Sequence, residues 1–178
     1  MFSRRDFLKT TGVFAALASV PEAFAGPKTL AHERILRFHN LHTGEHLKAT
    51  YWAEGDYVAD ELAAINHLLR DHRTDDVADI DQHLLDQLYS LQQKVGSSAR
   101  FEIISGYRSA KTNAMLARNS NGVASKSLHL EGRAIDVRLP GVELDRLRRA
   151  ALAMKAGGVG YYPSSNFIHL DTGRPRFW

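Results

Sequence analysis

Residues 127–138 read SLHLEGRAIDVR, and the last five alternate in the manner of a strand. Successive side chains of a strand point to opposite faces. On "AIDVRL" (134–139) that rule sets Ile135, Val137 and Leu139 on one face and Ala134, Asp136 and Arg138 on the other. The first face is apolar and suits a core. The second carries a carboxylate, which is costly to bury without partners. His129 precedes Asp136 by seven residues, an odd separation that would put the two on opposite faces of an unbroken strand. Gly132 stands between them, and glycine reaches backbone conformations that other residues avoid. The expectation is a turn at Gly132 that folds His129 back over the face carrying Asp136.

The pattern returns near the C-terminus in "NFIHLDTG" (166–173). Ile168 and Leu170 share one face there, and Phe167, His169 and Asp171 share the other. Pairing of the two strands in one sheet would bring Asp136 and His169 together. Each of the three polar residues taken singly reads as a hydrogen-bonded structural residue. Their common placement reads as a metal site. Two imidazoles, a carboxylate and an open fourth position form a catalytic zinc arrangement, and these N and O donors suit Zn²⁺ without thiolate. The expectation is one zinc ion per chain held by His129, Asp136 and His169. His39, His42 and His46 bracket a turn with no carboxylate set to join them.

Working outward, "RILRFHNLHTGEHLKATYWAEG" reads as a β-hairpin turning at "HTGE", with Leu36 and Phe38 on one strand and Leu47, Ala49 and Tyr51 on the other. "DYVADELAAINHLLRDHR" has helical spacing through Leu62, Ile65, Leu68 and Leu69. A second helix starts at the cap Asp81, buries Leu84, Leu88, Leu91 and Val95, and ends at Gly96. "RFEIIS" is a strand, Ser109 caps a helix through about Arg118, and "VELDRLRRAALAMKAGG" is an amphipathic helix closed by Gly157 and Gly158. Strands and helices mix without regular alternation. The predicted class is therefore α+β: a small antiparallel sheet carrying the metal site, with helices packed on it.

The first 25 residues read as a twin-arginine leader: Arg4 and Arg5, then the short apolar "TGVFAALASV", then "AFA" at 23–25. The remainder, 26–178, reads as one domain of a periplasmic protein with no membrane span in the mature chain. Cysteine is absent, which excludes disulfides, a thiol nucleophile and thiolate metal sites. The net charge of +3 is spread along the chain without aromatic interleaving, so nucleic acid is not an expected partner.

Ser127-x-His129-x-x-Gly132-x-Ala134-x-Asp136, followed by a late strand histidine, resembles the zinc D-alanyl-D-alanine carboxypeptidase, lysostaphin and hedgehog-like superfamily. "SGYRS" (105–109) with Asn113 looks like the upstream segment of the same enzymes. "NLHTGE", "AGGVGYYP" and "FIHLDTGRPRFW" narrow the resemblance to the murein endopeptidase K group, over nearly the whole mature chain. That resemblance implies a zinc peptidase acting on amide bonds in peptidoglycan cross-links, those between two diaminopimelate residues in the narrower group. Trimming of uncross-linked stems as a D,D- or L,D-carboxypeptidase is the alternative within enzymes, and a non-catalytic zinc-containing wall-binding module the alternative outside them. Carried over, His129, Asp136 and His169 match the zinc ligands. Arg108 matches an arginine that holds a substrate carboxylate or polarises its carbonyl, Ser127 contacts substrate or orients the His129 loop, and Asn113 braces the "SGYR" turn. Many superfamily members carry a Glu three residues before the last ligand, or a His two before it; here Asn166 and Phe167 stand there. Asp171 is then the candidate general base or the orienter of His169, with Glu131 as the rival base.

Overall fold

Alternating apolar residues set the first strand pair: Leu36 and Phe38 on β1 (Arg34–Asn40), Ala49 and Tyr51 on β2 (His46–Ala53), all buried. The computed structural model describes residues 33–119 and 124–178; the leader expected over 1–25 lies outside the described residues. β1 and β2 pair antiparallel as the hairpin requires. The helix expected from Asp56 starts later. Glu54 and Gly55 take positive φ (54° and 96°), a tight turn that returns β3 (Asp56–Tyr57) onto Trp52 and Ala53. Only then does α1 (Ala59–Leu68) begin, burying Ile65 and Leu68.

α2 (Gln82–Lys94) opens at Asp81, whose carboxylate accepts from the His83 amide at 3.0 Å, and it buries Leu84, Leu88 and Leu91. β4 (Phe101–Ser105) leads to α3 (Ala110–Asn119), where the Thr112 amide donates to Ser109 Oγ at 3.3 Å. β5 (Ala134–Arg138), α4 (Leu144–Met154), β6 (Gly158–Tyr162), β7 (Phe167–Asp171) and β8 (Arg176–Phe177) complete the chain. α4 stops before the two glycines, with Lys155 in the left-handed region. Gly157 and Gly158 serve the sheet instead. A Cβ on the first would collide with the Asp171 carbonyl oxygen, and one on the second with the Asp171 carboxylate.

The strands form one sheet in the order β3-β2-β1-β4-β5-β7-β6-β8. The class is α+β, but the sheet is mixed: β1–β4 and β6–β8 run parallel. The four strands β4-β5-β7-β6 are antiparallel throughout. α2 lies on β1, α4 on β6 and β7, and the two helices meet each other. Ile103, Ile135, Val137, Ile168 and Leu170 are buried beneath them. The opposite face of the same strands presents a row in register: Ser105 on β4 faces Asp136 on β5, which faces His169 on β7, which faces Gly160 on β6.

Gly132 ends a one-turn 3₁₀ helix (Leu128–Glu131) at φ +66°. A Cβ there would also run into the Asp79 carbonyl oxygen. A left-handed non-glycine residue costs about 1–2 kcal/mol before any clash. Gly132→Ala should therefore lose at least about 2 kcal/mol in denaturant unfolding, a sum of that strain and the displaced 79–80 backbone.

Candidate metal centre

The floor of the site is built by register. Asp136 and His169 stand opposite each other on β5 and β7, and the Gly132 turn returns His129 over them. His129 is 1% exposed, Asp136 5% and His169 8%. His129 Nδ1 lies 2.7 Å from the Gly106 carbonyl oxygen. A carbonyl only accepts, so this nitrogen carries the hydrogen and Nε2 presents its lone pair inward. His169 Nε2 likewise donates to Asp171 Oδ2 at 3.0 Å, which turns Nδ1 inward. The inward atoms converge: His129 Nε2 to His169 Nδ1 is 3.2 Å, His129 Nε2 to Asp136 Oδ1 is 3.3 Å, and His169 Nδ1 to Asp136 Oδ1 is 2.9 Å. Tetrahedral zinc with bonds of about 2.0–2.1 Å sets its ligand atoms about 3.3 Å apart. The donor set and spacing fit such an ion. Among the described residues this is the one group of His, Asp or Glu found in such an arrangement.

The electrostatics ask for a cation at the same point. Burial presses His129 toward its neutral form against the pull of Asp136. Burial also opposes the charge on Asp136, but the charge and hydrogen bonds of His129 and His169 hold its carboxyl well below the usual range. For His169, burial disfavours protonation, yet the carboxylates of Asp136 and Asp171 beside it favour a positive charge there and raise its pKa.

The surrounding residues divide by what they touch. Arg108 donates from Nη2 to Asp136 Oδ2 at 2.7 Å and from Nε to Ser105 Oγ at 2.9 Å, and its amide donates to the His129 carbonyl at 3.0 Å. It thus grips the carboxylate of the centre while lining the cleft of about 670 Å³ above it. Ser127 Oγ accepts from the His129 amide at 3.4 Å, capping the turn, and also lines the cleft. Of the two roles expected for Asp171, the orienting one has its contact in place, at His169 Nε2. Besides His169, its oxygens accept from the amides of Gly158 (3.0 Å) and Gly173 (2.8 Å) and from both Nη atoms of Arg176 (3.0 and 2.7 Å). Burial works against that charge, and these donors outweigh it, holding Asp171 well below the ordinary carboxylate range. Glu131, the rival base, is exposed and paired with Arg133 at 3.0 Å. Asn166 is a left-handed turn residue, and Phe167 stacks on Tyr162 at 4.6 Å. Asn113 braces a different segment from the one expected, donating from Nδ2 to the Ala124 carbonyl at 3.2 Å. The histidines of the hairpin stack in pairs, His39 on His46 and His42 on His72, and form no metal cluster.

Two imidazoles and a carboxylate turned onto one point beneath a cleft, with a guanidinium against them, have the make-up of a metal-dependent hydrolase. Comparison with known proteins narrows the class. The sequence profile of the family described as "Peptidoglycan L,D-endopeptidase MepK" matches residues 28–178, and the twin-arginine translocation signal profile matches residues 1–21. The chain is 46% identical over 176 residues to "Peptidoglycan L,D-endopeptidase MepK" of Escherichia coli strain K12, covering 99% of this chain and 97% of that one. It is 40% identical over 177 residues to "Probable peptidoglycan L,D-endopeptidase MepK" of Haemophilus influenzae, covering 99% and 95%. No solved structure gives a significant match. The chain belongs to the MepK peptidase family and is an enzyme, which removes the reading as a non-catalytic module. The signal sequence directs it to the periplasm, and among the described residues no helix is long and apolar enough to cross a membrane.

One supporting residue gave no sign in the sequence. Asp71, in the loop after α1 and 1% exposed, accepts from the Ser109 amide at 2.8 Å and the Arg73 amide at 2.9 Å. It thereby fixes the segment that carries Arg108. Its burial would raise its pKa, but hydrogen bonds from Thr112, Arg73 and Ser109 prevail and push it down to about 2. A depressed carboxylate contributes stability above its unfolded value and loses it as pH falls through the folded one. Asp71→Asn should cost about 2 kcal/mol at pH 7. The gap from wild type in denaturant unfolding should close as pH falls from 5 toward 2; a gap that stays constant would contradict this account.

Proposed function

We propose that the chain is a zinc-dependent peptidoglycan endopeptidase that hydrolyses amide bonds in stem-peptide cross-links, in particular those joining two diaminopimelate residues (3-3 links). The observation that carries this reading is the convergence of three inward-turned donor atoms, 2.9–3.3 Å apart, beneath a cleft lined by Arg108. The printed names of relatives at 40–46% identity supply the substrate class. Export to the periplasm agrees with a wall substrate. The mature enzyme in this reading is residues 26–178, a single domain.

Zinc bound between His129, Asp136 and His169 supplies Lewis acidity toward a carbonyl and an activated water at neutral pH. The chain's own residues prepare for that chemistry. The Gly106 carbonyl and Asp171 fix the ring orientation of the two histidines, as the outer partners of ligating imidazoles do. Asp136 brings the single negative charge to the centre, and Arg108 steadies it. In this reading Arg108 also meets a carboxylate of the stem peptide, or the charge that develops on the scissile carbonyl oxygen, because a guanidinium fork matches both. Ser127 keeps the His129 turn closed at the cleft edge. Asp171 orients His169 and takes no proton from water.

A D,D- or L,D-carboxypeptidase would use the same residues, and the endopeptidase names of the relatives favour the cross-link. Metal analysis of the purified protein should find one zinc per chain, and the protein should release fragments from sacculi. His129→Ala should lose both the zinc and the activity. Defined muropeptide dimers should be cut at the 3-3 link in preference to the 4-3 link, while monomeric stems stay intact. Full activity in His129→Ala, or an active protein without zinc, would refute the mechanism.

A further inference from the structure

The row Ser105, Asp136, His169, Gly160 ends at a residue without a side chain, and the space above it is filled from elsewhere. A Cβ on Gly160 would stand 2.9 Å from Trp178 Cε2 and 2.9 Å from Tyr162 Cε2, nearer than side-chain carbons approach. Two rings therefore lie across β6 where a side chain would otherwise rise. Trp178 continues the line of β8: its amide donates to the Val159 carbonyl at 3.3 Å, and its carbonyl accepts from the Tyr161 amide at 3.1 Å. Its indole Nε1 donates to the Tyr162 hydroxyl at 2.8 Å, and its ring centre is 5.2 Å from that of His169. The Arg176 guanidinium rests 5.0 Å from the indole while its Nη atoms hold Asp171, the carboxylate behind His169. Tyr162 in turn stacks on Phe167. The indole is anchored by a hydrogen bond, a cation and the backbone, yet it remains 48% exposed and lines the cleft.

We propose that Trp178, seated on Tyr162, is a specificity-determining residue whose indole face takes the alkyl side chain ending in the scissile amide. The inference rests on the cross-link reading above. In a cross-link between two diaminopimelate residues the amide nitrogen sits on a carbon that bears a carboxylate and continues into a run of methylenes, whereas within an ordinary chain the corresponding carbon continues through another peptide bond. An apolar face beside the donor group rewards the first arrangement, because methylenes gain by leaving water. The cleft is polarised to match. Arg108 faces it beside Asp136, and the indole forms the wall next to His169, so the charged head of the substrate and its alkyl stem have separate seats. The Tyr162 hydroxyl accepts the indole N–H, which leaves its own proton for a substrate acceptor.

The test compares the zinc-loaded wild type with Trp178→Ala and Trp178→Phe on a defined cross-linked dimer. Trp178→Ala should raise KM about tenfold with kcat changed less than about twofold, and Trp178→Phe should recover most of the loss. Zinc content should match wild type in both. A second readout needs no turnover. The chain has two tryptophans, and Trp52→Phe leaves Trp178 as the sole emitter, so its fluorescence should respond to the dimer in metal-stripped protein. Trp52 pairs with Arg34 on the hairpin, at the other end of the sheet from β8. An unchanged KM in Trp178→Ala, a loss of zinc that accounts for its whole defect, or silent Trp178 emission while calorimetry records binding would each overturn the assignment. A wild type that binds the dimer with a change in Trp178 emission but never cleaves it would defeat the cross-link reading and leave the wall standing.

Discussion

Three electron-rich atoms face one another at 2.9–3.3 Å with their hydrogens turned outward: His129 Nε2, Asp136 Oδ1 and His169 Nδ1. In a dry site such a grouping repels itself unless a positive charge stands among its members. The protein holds it together by force of the surrounding fold. The Asp136–His169 register cannot slip by one residue without turning Ile135, Val137, Ile168 and Leu170 out of the core. Core packing on one face of the sheet thus enforces proximity of unlike-minded groups on the other.

Around that inner group runs an outer ring, and each inner residue has a fixed partner in it. His129 has the Gly106 carbonyl, Asp136 has Arg108, and His169 has Asp171 backed by Arg176. The partners come from two segments far apart in the chain, the β4–α3 segment and the β7–β8 end. Both charged members of the outer ring are answered in place, Arg108 by Asp136 and Asp171 by Arg176. Buried ion pairs of this kind cost more than they return when one member is removed. Their use here is orientation: Asp171, held by Arg176, fixes which nitrogen of His169 is left bare, and Arg108 fixes the Asp136 carboxylate.

Much of this was legible in the sequence, and the reasons are local. Alternation in "AIDVRL" and "FIHLD" is strong because both strands bury one whole face. The odd spacing of His129 and Asp136 demanded a turn, and Gly132 supplies it at φ +66°. What escaped notice lacks a period. β3 and β8 are two residues each, too short to show alternation. β6 reads GVGYY, with glycines at two of its five positions, and so carries no apolar alternation. Gly157 and Gly158 looked like a helix stop, while their smallness answers to Asp171, thirteen or more residues away. Asp171 itself was ambiguous for a plain reason: strand parity says which face it shares with His169 but not which ring nitrogen it meets. Asp71 gave no signal, because a carboxylate in a polar loop looks the same whether it is solvated or buried against Ser109.

β5 lies inside the sheet with a strand paired on each side, whereas β8 is an outer strand of two residues held by β6 alone. The reactive floor and the wall beside it therefore belong to different grades of rigidity. Amides of β5 and β7 should exchange with solvent only when the whole domain opens, those near β8 by fraying. Such a division leaves the margin of the cleft easier to alter than its floor, except at Arg176, whose guanidinium holds the carboxylate behind His169.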